Sequence, residues 1–236
     1  MKTFLAIPAI LLSCNSVAML APTEPQASAS ATVNENRFPA ATDSLTLRGG
    51  EDGSSLADML AELSRATGIT ITIDLSSRSF LPSRSIGLLS DVEVPAAEAY
   101  SFVAALLLAN EFHTSSIHGG QTPMLEVVYE DDGSLAQCML VSLEELEGLA
   151  EHQSLLVETA LDLKYADARA FSKSMRSVFG RSESERLVAT GGAGQLRLSG
   201  SVKRVTSMVA AARGADRAAF EAESVDKVPA QKVSKE

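Results

Sequence analysis

The alternation of apolar and polar positions divides the first half of the chain into short strands and amphipathic helices. Residues 44–48 (SLTLR) alternate as a half-buried strand does, and residues 69–74 (ITITID) alternate strictly. Between them the apolar positions follow helical spacing, at Leu56, Met59, Leu60 and Leu63. Ser54 or Ser55 is placed to cap this helix, and Gly68 is placed to end it.

The same pattern continues to about residue 130. Residues 85–92 form a weaker strand signal, and Pro95 opens a second helix whose buried side carries Ala99, Phe102, Val103, Leu106 and Leu107. Two more strands follow at residues 111–117 and 124–129. The predicted order of the first module, residues 43–130, is therefore β-α-β-β-α-β-β.

A connector is predicted over residues 131–153. Residues 136–141 favour a short strand, and Ser142 with Glu145 has the spacing of a capping box that opens a helix to about Glu151.

The second module spans residues 154–216 and has a simpler pattern. A strand over residues 155–163 precedes a helix that Asp167 can cap, and Gly180 ends that helix. Two strands and a helix that ends near Gly214 complete the order β-α-β-β-α; the strands cover residues 186–190 and 195–199. The predicted fold class is α+β, with two small β-α-β-β-α type sandwich modules in tandem and helices on one face of the second.

Both ends of the chain are predicted to lie outside these modules. Residues 1–21 resemble a signal peptide, because residues 4–12 form an apolar run too short to cross a bilayer of roughly 30 Å. Residues 11–14 resemble a bacterial lipobox, which would make Cys14 the lipidated N-terminus. In the alternative, a signal peptidase cuts after Ala21 or near residues 29–31. Residues 22–42 are interpreted as a flexible linker, and residues 217–236 as a disordered tail.

Charge separates the two modules and argues against nucleic acid as a partner. The chain of 236 residues has a net charge of −10. Residues 43–150 hold 17 acidic and 4 basic side chains, whereas residues 151–236 hold 11 acidic and 14 basic ones. A net charge of −13 followed by a net charge of +3 supports a division into two modules. An acidic chain repels the phosphate backbone of nucleic acids.

No motif in the sequence indicates catalysis, a cofactor or a metal. The glycines at 191–194 lead into a strand, as in a hairpin turn, and not into a helix as a phosphate loop requires. His113, His118 and His152 lack metal-ligand spacing, so we expect solvated or turn positions for them. Cys138 lies among apolar neighbours and is interpreted as structural. The pairs at 131–132 and 144–145 are interpreted as exposed acids of a turn and a helix start. We therefore expect a protein that is not an enzyme.

Two stretches resemble the N-terminal regions of secretins. Residues 44–130 are similar to the short N-terminal domain shared by secretins and TonB-dependent receptors, through SLADMLAELSRATGITITID and VPAAEAYSFVAALLLANEFHTSSIHGGQTPMLEVV. Residues 155–216 are similar to the repeated, NolW-like periplasmic domain of secretins. The matching segments there are LDLKYADARAFSKSMRSVF and LRLSGSVKRVTSMVAAARGAD. The tandem order is that of secretin N-terminal regions.

The resemblance implies an exported envelope protein that lies in the periplasm. A lipid on Cys14 would anchor it in the outer membrane. Its expected role is oligomerisation or docking within a type II secretion or type IV pilus-type apparatus. The expected partners are a secretin barrel subunit, an inner-membrane platform or further copies of the chain. A secretin continues into a β-barrel domain, which does not follow here, so we expect the chain not to form the pore itself. The alternative is an envelope signalling or sensor module related to the N-terminal domains of TonB receptors.

Overall fold

A computed structural model of the chain describes residues 37–74, 77–79, 81–119, 122–129, 137–179, 185–190 and 194–226. The predicted signal peptide, the lipobox with Cys14 and residues 22–36 of the predicted linker lie outside the described residues. Residues 227–236 of the predicted tail and the acid pair at 131–132 also lie outside them.

The first module folds from five strands and two α-helices. The strands are β1 (Leu45–Leu47), β2 (Thr70–Ile73), β3 (Val92–Val94), β4 (Phe112–Gly119) and β5 (Thr122–Tyr129). The helices are α1 (Leu56–Thr67) and α2 (Ala99–Ala109). Strands β1 and β3 form an antiparallel ribbon, while β2, β5 and β4 form a three-stranded sheet in which β2 runs parallel to β5. Short 3-10 turns lie between β2 and β3 and before α2; they cover Ser77–Ser79, Leu81–Ser83 and Ala96–Glu98.

Helix α1 confirms the predicted helix and decides between its two candidate caps. The Ser55 side chain accepts a hydrogen bond from the Asp58 backbone N–H at 3.1 Å, and the Asp58 carboxylate accepts one from the Ser55 N–H at 2.9 Å. The predicted apolar positions are buried, and Gly68 ends the helix at φ +70°. Only glycine adopts this left-handed conformation without a steric penalty.

The predicted strand over residues 85–92 is wrong. Ser85 makes only an isolated bridge to Ser55, and the strand begins at Val92. The intervening segment turns at Gly87, where φ is +75°. A backbone turned in this way cannot continue a strand, so the chain pairs with β1 only after the turn.

The second module is a four-stranded sheet with helices on one face. Its strands are β6 (Met139–Leu140), β7 (Leu156–Asp162), β8 (Arg186–Thr190) and β9 (Gln195–Ser201), in the order β6-β7-β9-β8. Its helices are α3 (Leu143–Gly148), α4 (Ala168–Phe179) and α5 (Val202–Asp226). Strand β6 pairs in parallel with β7, so part of the predicted connector forms the edge of this sheet. Together the two modules confirm the α+β class.

Helix α5 continues beyond Gly214, where the sequence pattern placed its end, and beyond Arg217, where we expected a disordered tail. The prediction of disorder is therefore wrong for residues 217–226. The Asp216 carboxylate accepts hydrogen bonds from the backbone N–H groups of Tyr165 and Ala166, at 2.7 and 2.8 Å. The ring of Tyr165 packs on Phe220 with the centroids 4.8 Å apart. These contacts tie the extension of α5 to the loop after β7.

The prediction of a flexible linker is wrong for residues 37–42. The Phe38 side chain is 8% exposed, and the carbonyl of Pro39 accepts a hydrogen bond from the Tyr100 hydroxyl at 2.9 Å. The backbone N–H of Thr42 donates to the Ala66 carbonyl at 2.8 Å. An aromatic ring that finds a buried partner offsets the entropy lost by ordering the backbone around it.

Candidate functional site

One face of the second sheet is open to solvent. Helices α4 and α5 pack on the opposite face, and the burial pattern of β7 alternates accordingly from Thr159 to Asp162. Three apolar side chains of three different strands point to the open face. They are Leu140 (74% exposed), Ala160 and Val188 (47% exposed). This open face is the candidate docking surface of the second module, because apolar side chains grouped on a surface are typical of interaction sites.

An ion pair lies at the centre of the open face. Arg197 on β9 pairs with Glu158 on β7, and Arg197 stands in register with Ala160 on one side and Val188 on the other. The Glu158 carboxylate raises the pKa of the Arg197 guanidinium, mainly by accepting its hydrogen bond. A recess of about 540 Å³ opens above this pair. The surface therefore combines apolar area with a fixed charge pair, as the core and rim of a protein interface do.

Cys138 lies beside this surface and is half-buried. Burial raises the pKa of the Cys138 thiol, and the negative charge of Glu158 raises it further. A thiol with a raised pKa is a poor nucleophile, since the thiolate is the reactive form. This chemistry agrees with the structural role that the sequence suggests for Cys138.

A second groove runs between α3 and α5 on the helical side. Its apolar residues include Leu143, Leu146 and Val209, while Glu147 and Arg213 stand at its mouth. Its volume is about 180 Å³. Helix α3 is held in place by the predicted capping box, in which the Ser142 hydroxyl accepts from the Glu145 N–H at 3.1 Å.

The two modules meet in an aromatic cluster that the sequence did not predict. His152 lies between Phe38 and Tyr100, with ring centroids 4.1 and 4.5 Å away. Burial lowers the pKa of His152 to about 4, because the positive form would lose its hydration. His152 occupies a turn, as expected, but its ring packs against two aromatic rings and is mostly removed from solvent. The expectation of a solvated or turn His is wrong for His113, which is 5% exposed on β4.

Hydrogen bonds between β4 and the start of the second module complete this junction. The Thr114 N–H donates to the Ser154 carbonyl at 2.9 Å, and the two hydroxyl oxygens lie 3.2 Å apart. The Ser115 hydroxyl donates to the Gln137 carbonyl at 2.7 Å. A cavity of about 20 Å³, close to the space of a single water molecule, lies beside Thr114, Ser154 and the aromatic cluster. Its size excludes an organic ligand.

Metal binding finds no support in the described part of the chain, which holds no group of three His, Cys, Asp or Glu residues placed to share an ion. The side chain of His118 lies outside the described residues. The acids at 144–145 occupy the first turn of α3, as the sequence indicates. None of the helices from residue 37 to 226 that the structure describes has both the length and the apolar character needed to cross a bilayer.

Comparison with known proteins identifies the fold. No protein-family model matches the chain, and no curated protein matches it significantly. Among solved structures it is similar to a chain of the Klebsiella pneumoniae type II secretion system outer membrane complex of PulD, PulS and the PulC HR domain. The TM-score is 0.51 at 15% identity, over 73% of this chain and 26% of that one. This chain thus spans about a quarter of the length of its relative.

Two further matches are weaker. The enterotoxigenic Escherichia coli GspC-GspD complex gives a TM-score of 0.26 at 11% identity, over 74% of this chain and 99% of that one. The N-terminal domain of the secretin XcpQ from Pseudomonas aeruginosa gives 0.24 at 11% identity, over 74% and 64%. On the first match, the chain has the fold of secretin N-terminal domains.

Proposed function

We propose that the chain is a non-enzymatic docking and oligomerisation module of a type II secretion or type IV pilus-type export apparatus. The observation that carries the proposal is the fold that it shares with a chain of a type II secretion outer membrane complex. That complex also contains PulS and the PulC HR domain, so a domain of this fold works there among protein partners. The expected partners here are a secretin barrel subunit, an inner-membrane platform protein or further copies of the chain.

The open face of the second sheet supports a docking role. Its exposed apolar side chains surround the Glu158–Arg197 pair without a helix covering them. In the proposed assembly, the helical face of one copy or of a partner packs against this sheet. Burial of apolar side chains supplies the affinity, and the fixed ion pair supplies orientation.

The proposed location is the periplasm. It rests on the signal peptide predicted at residues 1–21, with lipidation at Cys14 as the route to an outer-membrane anchor. Metabolic labelling with a palmitate analogue tests the anchor. If the lipobox is used, the wild type takes up the label and a Cys14→Ala variant does not; an unlabelled wild type would contradict lipidation.

Affinity purification from gently solubilised envelopes tests the function. We expect a secretin barrel subunit or a platform protein to co-purify with the tagged chain. An Ala160→Asp variant, which places a charge on the open face, should reduce this recovery at least tenfold. The matched control is Ala105→Asp, at an exposed position of α2 in the first module, and should leave recovery unchanged.

Other outcomes contradict the proposal. Recovery of a receptor or an envelope regulator in place of secretion proteins would favour the sensor function. Equal recovery with Ala160→Asp and Ala105→Asp would mean that the open face is not the docking surface.

A further inference from the structure

An exposed leucine, Leu89, projects from a loop of the first module that is hydrogen-bonded to a second loop. Leu89 is 97% exposed, the largest exposed fraction among the large apolar side chains of the described residues. The Gly50 N–H donates to the Leu88 carbonyl at 2.9 Å, and the Gly49 N–H donates to the Asp91 carboxylate at 2.9 Å. The two loops therefore present Leu89 in a fixed position, and its exposure is not the result of a loose segment.

Close backbone packing holds the two loops together. A Cβ atom at Gly49 would lie 2.3 to 2.4 Å from backbone atoms of Ser90, so only glycine fits there. Gly50 and Gly87 adopt φ values of +86° and +75°, which glycine tolerates without strain. A rigid surface loses little conformational entropy when it binds a partner.

The two loops that present Leu89 hold three acidic side chains and one basic side chain, Arg48. Glu51 and Asp52 lie exposed in the loop bonded to that of Leu89, and Asp91 lies two residues after Leu89. None of the three has an ion pair with another described residue at 4.0 Å or less. We call Leu89 with these three acids the acidic tip. Its partner must supply an apolar contact together with positive charge.

Helix α4 of the second module carries the complementary groups. Its apolar side packs against β8, β9 and α5. Its exposed side carries Arg169, Lys173 and Arg176, which follow i, i+4, i+7 spacing and so form one stripe. We call this surface the basic face. Within the described part of the chain, no ion pair neutralises these three cations, and no hydrogen bond or ion pair joins them to the acidic tip.

From this complementarity we infer that the acidic tip of one copy docks on the basic face of α4 in a second copy, in a head-to-tail contact. The inference rests on the proposed oligomerisation role and names its surfaces. Leu89 packs on the aliphatic stems of the cations of α4, and the acids of the tip face their charged heads. A head-to-tail contact joins two different surfaces, so each copy keeps one free end for the next.

Sedimentation velocity of the purified chain at several concentrations tests the contact. We expect self-association whose dissociation constant rises at least tenfold between 50 and 500 mM NaCl, because salt screens exposed charges. A Leu89→Ser variant should weaken association at least tenfold. Its fold should be unchanged because the side chain touches solvent only, and circular dichroism verifies this. Glu98→Lys is the control, since Glu98 lies beyond the opposite end of the β1–β3 ribbon.

Charge reversal gives the decisive result. One variant carries Glu51→Lys with Asp52→Lys, and the other carries Lys173→Glu with Arg176→Glu. Each should be monomeric alone, because both of its surfaces then have the same sign. Mixing the two should restore association. A monomeric wild type at low salt, or variants that associate as the wild type does, would overturn the inference.

The outcome is independent of the envelope purification. Self-association with the predicted charge dependence but no secretion proteins would uphold this contact and contradict the proposed docking to an export apparatus. Recovery of secretion proteins by a chain that stays monomeric would uphold that docking and overturn both this contact and the oligomerisation role.

Discussion

The stability of the junction between the modules should depend on the protonation of His152. Its ring packs between Phe38, from the segment before β1, and Tyr100, from α2. His152 itself belongs to the turn that leads into the second module. A positive charge on this ring would lose much of its hydration in this site, so protonation should weaken the contact between the two modules.

The sign and size of the effect follow from the pKa of His152. Burial lowers it from 6.5 to about 4. Between these values the unfolded chain binds a proton that the folded chain excludes, so the free energy of unfolding falls as the pH is lowered through this window. At about 1.4 kcal/mol per pKa unit the full loss is about 3 kcal/mol, and about 2 kcal/mol of it is lost between pH 7.5 and 5. The stability contribution is fully present above pH 6.5.

Urea unfolding followed by circular dichroism at pH 7.5, 6 and 5 measures this loss. The comparison variant is His152→Phe, whose ring fills the same space and does not titrate. Its unfolding free energy should be nearly independent of pH over this range, apart from changes common to both proteins. If the variant and the wild type lose equal stability between pH 7.5 and 5, His152 does not titrate as the geometry requires and the reasoning is refuted.

Three further predictions concern the scaffold. Gly49→Ala should destabilise the chain by about 2 kcal/mol, since its Cβ would clash with the Ser90 backbone. Gly214→Ala should stabilise it by roughly 0.5–1 kcal/mol, because Gly214 lies inside α5 with open space around it. Thermal unfolding compares the two variants, and destabilisation by Gly214→Ala would contradict the continuous α5. Ser55→Ala should cost about 1 kcal/mol in chemical unfolding through loss of the α1 cap, and an unchanged midpoint would contradict the capping box. Cys138 should react with iodoacetamide at pH 7 more slowly than in the urea-unfolded chain, because burial raises the pKa of its thiol, and equal rates would contradict its burial.

Local signals in the sequence predict much of the fold. The spacing of Ser142 and Glu145 predicts a capping box, and both reciprocal hydrogen bonds are present. Asp167 accepts hydrogen bonds from the N–H groups of Arg169 and Ala170, as its position before α4 predicts. These interactions form within three residues along the chain, so spacing alone contains the information.

Contacts between distant segments account for what the sequence did not predict. Phe38 belongs to a stretch whose composition indicates a flexible linker, and its burial depends on Tyr100 and His152, which lie 62 and 114 positions further on. The extension of α5 depends likewise on Asp216 and Phe220 meeting the loop at Tyr165. Neither partner is visible in a window of local periodicity, so the sequence pattern favours disorder where tertiary contacts impose order.

The same limit applies to the candidate surfaces. The sequence reveals a net charge of −13 for residues 43–150 and of +3 for residues 151–236. It does not tell which sides of the modules carry these charges. The structure sets that direction, because α4 buries its apolar side on the sheet and so turns Lys173 and Arg176 to solvent. The paired glycine loops likewise direct Leu89 and its acids outward from the β1–β3 ribbon. The junction joins the modules through β4 and β7 and includes neither the acidic tip nor the basic face. Attraction between the acidic tip and the basic face can therefore act between two molecules.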